Sequence, residues 1–355
     1  MQDLYSVPLE HEELLVRRGR RSGLYTIAAV HSTARGPALG GCRMWHYEST
    51  RAAIRDALRL SRGMTYKSAV AGLRLGGGKG VIVLPPGAPA PAGRRRRDAF
   101  LDFGETVDVL QGRYVTAEDV GTATRDMLAI SETTRHVTGL PRSRGGSGDP
   151  SPYTALGVEA AVVATCERAF GSASLKGRSV AVLGLGHVGL ALARRLARRG
   201  ARLVAADIDE SKKDAAARLG ARWTSPEKAL LAPVDLLAPC ALGGVLDHES
   251  VPRLQAQAIA GAANNQLADD AIADVLQARG ILWAPDFVAN AGGIINISVE
   301  LEPGGYDPAR ARGRVRAIGD TLREVYDRAA AGGTTPLTAA MELARRRLAE
   351  ASSPA

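Results

Sequence analysis

The sequence predicts an α/β protein built as two domains. Its 355 residues suffice for roughly two domains at about 150 residues each. From Ser179 onward an apolar strand, a glycine turn, a helix and a second apolar strand succeed one another, the opening of a strand-helix-strand unit. Further short apolar runs separated by helix-length stretches extend this unit into a parallel sheet, which puts a domain boundary near residue 150.

Composition narrows the class. Apolar residues make up 45% and charged residues 23%, the balance of a folded globular chain. No run approaches the ~18 apolar residues of a membrane span. The start, Met1-Gln2-Asp3-Leu4, lacks the basic-then-apolar order of a signal peptide, so a cytoplasmic protein is expected. Cys42, Cys166 and Cys240 are few, odd in number and far apart, which fits a reducing compartment and argues against zinc or a disulfide framework. The net charge of +9 raises the question of an acidic partner. With aromatics at only 4%, stacking platforms for single-stranded nucleic acid are poorly supplied.

In chain order, residues 24–30 are short, β-branched and apolar and read as a strand. Ser49-Thr50 caps a helix with Ile54, Ala57, Leu58 and Ser61 on one face, expected to end near Gly63 and to lead into Met64-Thr65-Tyr66-Lys67. Residues 79–84 form a second strand, stopped by Pro85-Pro86. The proline-rich stretch to Gly93, with Arg94 to Arg97 after it, reads as a solvated connection to the next helix, as does the basic run Arg17 to Arg21. Beyond Val180–Leu183, a helix from Val188 to Arg199 and a strand from Leu203 to Ala206, strands are expected at Val234–Ala238, Ala258–Gly261 and Gly280–Ala284.

Gly184-Leu185-Gly186-His187-Val188-Gly189 fits the dinucleotide-binding G-x-G-x-x-G pattern. With 40 glycines the pattern arises by chance about half a time per chain, so its context carries the argument. The turn follows a strand and opens a helix, where backbone N–H groups and the helix dipole meet a pyrophosphate. Asp207 closes the next strand near the expected ~20-residue offset, where a carboxylate accepts the adenosine-ribose hydroxyls and repels a 2′-phosphate. NAD is therefore favoured over NADP, although Lys212 and Lys213 lie close enough to meet a phosphate.

Lys67 and Lys79 flank Leu73-Arg74-Leu75-Gly76-Gly77-Gly78, a stretch too rich in glycine for a helix. It is not a P-loop, because Leu73 stands where the first glycine belongs and Gly80 follows the lysine. Two lysines brought together in a cleft repel, which makes one usable as a base while the other holds an anion. Solvated surface lysines are the plainer reading. After a short apolar strand, Asp119 in Tyr114-Val115-Thr116-Ala117-Glu118-Asp119-Val120-Gly121 either exchanges protons with an amine or caps a turn.

Gly36-Pro37-Ala38-Leu39-Gly40-Gly41, Met64-Thr65-Tyr66-Lys67, Gly76-Gly77-Gly78-Lys79 and Thr116-Ala117-Glu118-Asp119-Val120-Gly121 together resemble the glutamate/leucine/phenylalanine/valine dehydrogenase family. Pro239-Cys240-Ala241-Leu242-Gly243-Gly244, Gly261-Ala262-Ala263-Asn264-Asn265-Gln266 and Ala284-Pro285-Asp286 through Asn290-Ala291-Gly292-Gly293 continue the resemblance in the same order. It implies a catalytic domain over residues 1–148, rejoined by a C-terminal helix at about 334–355. A Rossmann domain over 149–333 would face it across a cleft. The implied reaction is the reversible oxidative deamination of an L-amino acid by NAD, in a homo-oligomer. By matching motif, Lys67 would hold the substrate carboxylate with the Gly40-Gly41 backbone and Met64 nearby. Lys79 would activate water and Asp119 would shuttle the amine proton. Thr154, Cys240, Ala241, Leu242, Asn264 and Asn290 would join the glycine turn in holding the cofactor, the two asparagines also bordering the substrate.

The resemblance also implies a side-chain pocket lined by Leu39, Ala117, Ile294 and Ile297. All four are apolar, and burying a γ-carboxylate against Leu39 would cost several kcal/mol, which disfavours glutamate. The bulk of these residues suits branched aliphatic chains. Residues 284–290 look closer to actinobacterial phenylalanine enzymes, which keeps an aromatic substrate as the alternative. Asp149 stands where leucine enzymes commonly carry Asn, beside the expected hinge. A non-catalytic NAD- or nucleic-acid-binding protein has only the basic charge in its favour, because Lys67, Lys79 and Asp119 are all present.

Overall fold

The structure, a computed structural model, describes residues 10–241 and 243–352. The chain forms two compact units: the first runs to Asp149 and adds Glu300–Tyr306 and the chain from Ala344, and the second takes Pro150–Val299 and Asp307–Leu343. No helix among the described residues is long and apolar enough to cross a membrane.

In the first unit, β1 (Glu13–Arg18), β2 (Tyr25–Ser32), β3 (Ala38–His46), β4 (Gly76–Leu84) and β5 (Tyr114–Glu118) form one sheet in the order β1-β2-β4-β3-β5. The β1/β2 and β2/β4 pairs are antiparallel, whereas β3 runs parallel to both β4 and β5. Alternation along the strands splits their side chains between two faces. Helix α1 (Thr50–Val70) covers one, where Ile27, Ala29, Val81 and Val83 pack with Ala53 and Ala57. Helices α2 (Gly93–Asp108) and α3 (Thr124–Ile130) supply Phe100, Phe103, Met127 and Ile130 to the other, against Ala28, Cys42, Met44 and Ile82.

Three local expectations are corrected. Helix α1 begins as expected, with the Ser49 hydroxyl accepting from Ala52 N at 3.1 Å, but it runs through Gly63 to Val70 and so carries Lys67. Glycine costs about 1 kcal/mol in a helix, and the buried face of Ser61, Thr65, Ser68 and Ala69 outweighs it. Arg94 to Arg97 belong to the first turns of α2 rather than to the loop, and Arg96 reaches Asp126 at 2.6 Å. Arg17 and Arg18 end β1, and Arg21 ion-pairs with the buried carboxylate of Asp102 at 3.1 Å. The C-terminal carbonyls of α1 are met by a cation, as helix ends favour: Arg347 donates to Val70 O at 2.6 Å.

Within this unit His31 accepts or donates at Thr65 Oγ1 (2.9 Å), its ring edge-on to His11 at 4.8 Å. Burial, then the neighbouring His11 and Arg62, lower its pKa to about 4. A depressed histidine pKa favours the neutral ring in the folded state. The stability it lends is complete above the ordinary value of ~6.5 and is lost as pH falls towards 4. Thermal unfolding across that window is expected to show an acid loss of about 2 kcal/mol that His31→Gln removes.

The second unit opens with α4 (Ser151–Phe170) and β6 (Ser179–Leu183), then α5 (His187–Arg198), β7 (Arg202–Ala206), α6 (Lys213–Ala217), β8 (Arg222–Trp223), α7 (Pro226–Leu230) and β9 (Leu236–Pro239). It continues with β10 (Ala258–Ile259), α8 (Ile272–Ala278), β11 (Leu282–Trp283), α9 (Asp286–Ala289), α10 (Gly292–Ser298), α11 (Pro308–Arg316) and α12 (Ile318–Gly332). The last helix, α13 (Pro336–Ser352), starts in this unit and passes into the first at Ala344, so only its second half returns there. The six strands are parallel in the order β11-β10-β9-β6-β7-β8, a doubly wound Rossmann sheet whose order reverses beside β6. The expected strands are all present: β6 and β7 each start one residue earlier than expected, β9 is shifted to Leu236–Pro239, β10 and β11 are shortened to two residues each, and β8 is additional.

Candidate active site

Register places the chemistry of the first unit on the α1-covered face. Leu39, Gly41 and Arg43 of β3 alternate onto it, as do Gly77 and Lys79 of β4 and Ala117 at the end of β5, with Asp119 just beyond. Glycine is needed where backbones meet: a Cβ on Gly77 would fall on the Thr65 amide of α1, and one on Gly40 on the Gly78 carbonyl. The α1 helix and β3 can therefore lie directly on β4. A Cβ on Gly41 would stand 2.6 Å from Cβ of Asp119, so its absence makes room for that carboxylate.

Lys79 is buried, and its Nζ donates to Asp119 Oδ2 at 2.6 Å. Arg43 Nε donates to the same oxygen at 3.1 Å while its Nη1 reaches Asp56 Oδ2 at 3.0 Å. Asp56 is also bonded by Tyr47 (2.7 Å) and Arg59 (2.9 Å). Burial alone would raise the Asp119 pKa, but Lys79 and then Arg43 more than reverse this, and the carboxyl is held below its ordinary range. Thr122 fixes the loop, its hydroxyl receiving Asp119 N–H at 2.8 Å and donating to Cys42 O at 3.1 Å. Asp119 is thus held as a carboxylate, a candidate proton acceptor, and its loop carries its own cap. Sequence reasoning missed Arg43 and Thr122. The one available signal was the position of Arg43 two residues beyond Gly41, on the same strand face.

Leu39 and Ala117 are buried on this face. Lys67 and Met64 are half-buried on α1, one turn apart. Gly40 has its carbonyl bonded by the buried Tyr114 hydroxyl at 2.6 Å.

In the second unit the glycine turn links β6 to α5. Gly184 and Gly189 are explained by packing: a Cβ on Gly184 would stand 2.7 Å from Ala241 Cβ, and one on Gly189 would fall on the Gly184 carbonyl and stand 3.1 Å from Cys240 Cβ. Among the described residues, no atom beyond its own chain neighbours and helix backbone lies within 4 Å of a Cβ built on Gly186, and this residue caps α5 with no side-chain bond. Its bare backbone and the unfilled helix N-terminus are what a dinucleotide phosphate requires, so the turn fits the cofactor. Leu185 is buried, His187 is exposed and Val188 is half-buried. Asp207 sits at the end of β7 with Oδ2 accepting Leu185 N–H at 2.6 Å and Oδ1 accepting Asp209 N–H at 2.9 Å, which aims the carboxylate along the turn.

Asn290 is buried and donates to Asn264 Oδ1 at 2.8 Å and Ala262 O at 3.2 Å, so the two expected asparagines meet. Their loop is pinned from below: Asp286 accepts Gln266 N–H (2.8 Å) and Trp283 Nε1 donates to Gln266 Oε1 (3.1 Å). Thr154 lies on the first turn of α4 against Gly293, and Ile294 and Ile297 are buried on α10. Burial pushes the Cys240 thiol up to about 12, which leaves it a packing group rather than a nucleophile. Ala241 is exposed beside Gly184, and Leu242 lies outside the described residues.

Residues 11–136 match the sequence model of the Glu/Leu/Phe/Val dehydrogenase dimerisation domain, and residues 207–354 match that of glutamate/leucine/phenylalanine/valine dehydrogenase. Residues 159–242 match the NAD binding domain of D-isomer specific 2-hydroxyacid dehydrogenases. The chain is 44% identical to a leucine dehydrogenase of Thermoactinomyces intermedius, over 97% of this chain and 92% of that one. It is 43% identical to a valine dehydrogenase of Streptomyces virginiae over 96% and 94%. The crystal structure of L-tryptophan dehydrogenase from Nostoc punctiforme superimposes with a TM-score of 0.82 at 38% identity, covering 97% of this chain and 98% of that one. The chain is a member of the glutamate/leucine/phenylalanine/valine dehydrogenase family.

Proposed function

We propose that this protein is an NAD-dependent dehydrogenase that converts branched-chain aliphatic L-amino acids to their 2-oxo acids and ammonia, reversibly. The observation that carries the proposal is the buried Lys79 bonded to Asp119 at 2.6 Å, beside the glycines that open the face around them. When bound, NAD supplies the acceptor for the hydride of the substrate Cα. Asp207, the Gly184–Gly189 turn, Thr154, Ala241, Asn264 and Asn290 are the groups to hold it.

Lys67 pairs with the substrate carboxylate, assisted by the Gly40-Gly41 backbone. The Asp119 carboxylate takes the proton of the substrate ammonium, so that the amine's electron pair is free as Cα is oxidised. Asp119 passes that proton to solvent and takes the proton of the Lys79 ammonium across their short bond, and the neutral Lys79 amine then removes a proton from the water that attacks the imine carbon; protonated Asp119 gives its proton to the carbinolamine nitrogen, so that the C–N bond breaks, ammonia leaves and the 2-oxo acid forms.

Leu39 and Ala117, buried on the same face as Lys79, offer no partner to a charged side chain, which disfavours glutamate. The match to a domain model described as a dimerisation domain supports a homo-oligomer, and three free cysteines suit the reducing cytoplasm. The similarity to L-tryptophan dehydrogenase favours the second reading, an aromatic substrate.

Initial rates of NADH formation with L-leucine, L-valine, L-isoleucine, L-phenylalanine, L-tryptophan and L-glutamate test the substrate class. The aliphatic acids are expected to have the highest kcat/KM, with glutamate at least about a hundredfold below them. A preference for an aromatic acid would move the assignment to the second reading.

A further inference from the structure

Asp119 receives two cations on one oxygen. Lys79 Nζ and Arg43 Nε both donate to Oδ2, and among the described residues Oδ1 takes part in neither ion pair. Arg43 is in turn fixed by Asp56 on α1, whose carboxylate is held by Tyr47 and Arg59. A planar guanidinium with several N–H donors can bridge two carboxylates in a fixed geometry, which a lysine ammonium on a flexible stem cannot. The Asp56-Arg43-Asp119-Lys79 chain therefore joins helix α1 to β3, to the loop after β5, and to β4.

We propose that Arg43 is a positioning residue for the reaction: it locks Oδ2 of Asp119 towards Lys79 and leaves Oδ1 to meet the substrate amine. This rests on the deamination reading above. The charged or titratable groups set against Asp119 are Lys79 from β4, Arg43 and the buried Cys42 from β3, and the buried Tyr114 from β5, while Lys67 is carried on the α1 helix that covers this face. Burial would raise the carboxyl, and removing one of its two paired cations lets that tendency through.

The test compares Arg43→Gln, Arg43→Lys and Asp56→Asn with the unaltered protein by kcat, KM and pH profile in L-leucine oxidation. Thermal unfolding of Arg43→Gln, Asp119→Asn and the double variant accompanies the kinetics. Arg43→Gln is expected to lower kcat by about tenfold or more with KM for leucine changed less than threefold, and to move the acid limb of kcat to higher pH. Arg43→Lys restores the acid limb, because the charge returns, but not the full kcat. Asp56→Asn falls between. In unfolding, the effects of Arg43→Gln and Asp119→Asn are non-additive, a reading independent of turnover. If leucine and every other amino acid fail to reduce NAD, the deamination reading fails, while non-additive unfolding still supports the coupling. An Arg43→Gln enzyme with an unchanged acid limb and kcat, or unfolding effects that simply add, overturns the role of Arg43.

Discussion

Lys79→Ala is expected to lower kcat for amino acid oxidation by about a thousandfold while NAD binding changes little. A positioned acid-base group contributes on the order of 10²–10⁴ to a rate, and Lys79 is the buried amine of this site. The substitution also strips Asp119 of the nearer of its two cations, 2.6 Å away, so the carboxyl moves up towards its ordinary range. Two functions are lost at once, which puts the effect well above that expected for Arg43→Gln. The Gly186 turn and Asp207 belong to the other unit and are untouched, so the affinity for NAD, read by fluorescence titration, is the control. A variant that kept a tenth of the activity would remove Lys79 from the chemistry.

Gly77→Val is expected to have the largest effect on stability, a loss of at least about 3 kcal/mol or failure to accumulate as soluble protein. Its Cβ would fall on the backbone nitrogen of Thr65, with the Thr65 hydroxyl and the Ser61 carbonyl alongside. A backbone atom cannot turn aside like a side chain, so α1 has to lift from β4 and the overpacking cost is at the upper end of the usual range or beyond it. Gly63→Ala, on α1 and with no atom of another element among the described residues within 4 Å of its Cβ, is the contrast: a gain of about 0.5–1 kcal/mol from the better helix former. Urea unfolding of the two variants separates them. Equal effects would mean that the close approach of α1 to β4 is not what the glycines serve.

What sequence revealed and what it hid follow from how local each signal was. The βαβ unit around Gly184–Gly189 was legible because apolar strand, glycine turn and amphipathic helix are contiguous, and Asp207 lies at a fixed offset. Lys79 and Asp119 were legible as candidates from their glycine and strand contexts, and from the order of motifs that the chain shares with its family. The interior strand β3 was not read as a strand, because Ala-Leu-Gly-Gly has little β-propensity and its place between β4 and β5 is decided by tertiary packing. The end of α1 was misplaced because Gly63 weighs against a helix locally, whereas the buried face beyond it is a long-range fact. Arg43 was silent for the same reason. Its partners are Asp56, 13 residues away, and Asp119, 76 residues away, and only the folded sheet brings them together.

The most direct test of the central claim is to incubate the protein with L-leucine and NAD and to measure NADH, ammonia and 2-oxo acid in the same sample, with Lys79→Ala beside it. Equal amounts of the three products, and none above background from the variant, are the predicted result. A folded protein that binds NAD yet forms NADH without ammonia, or forms neither, would contradict it.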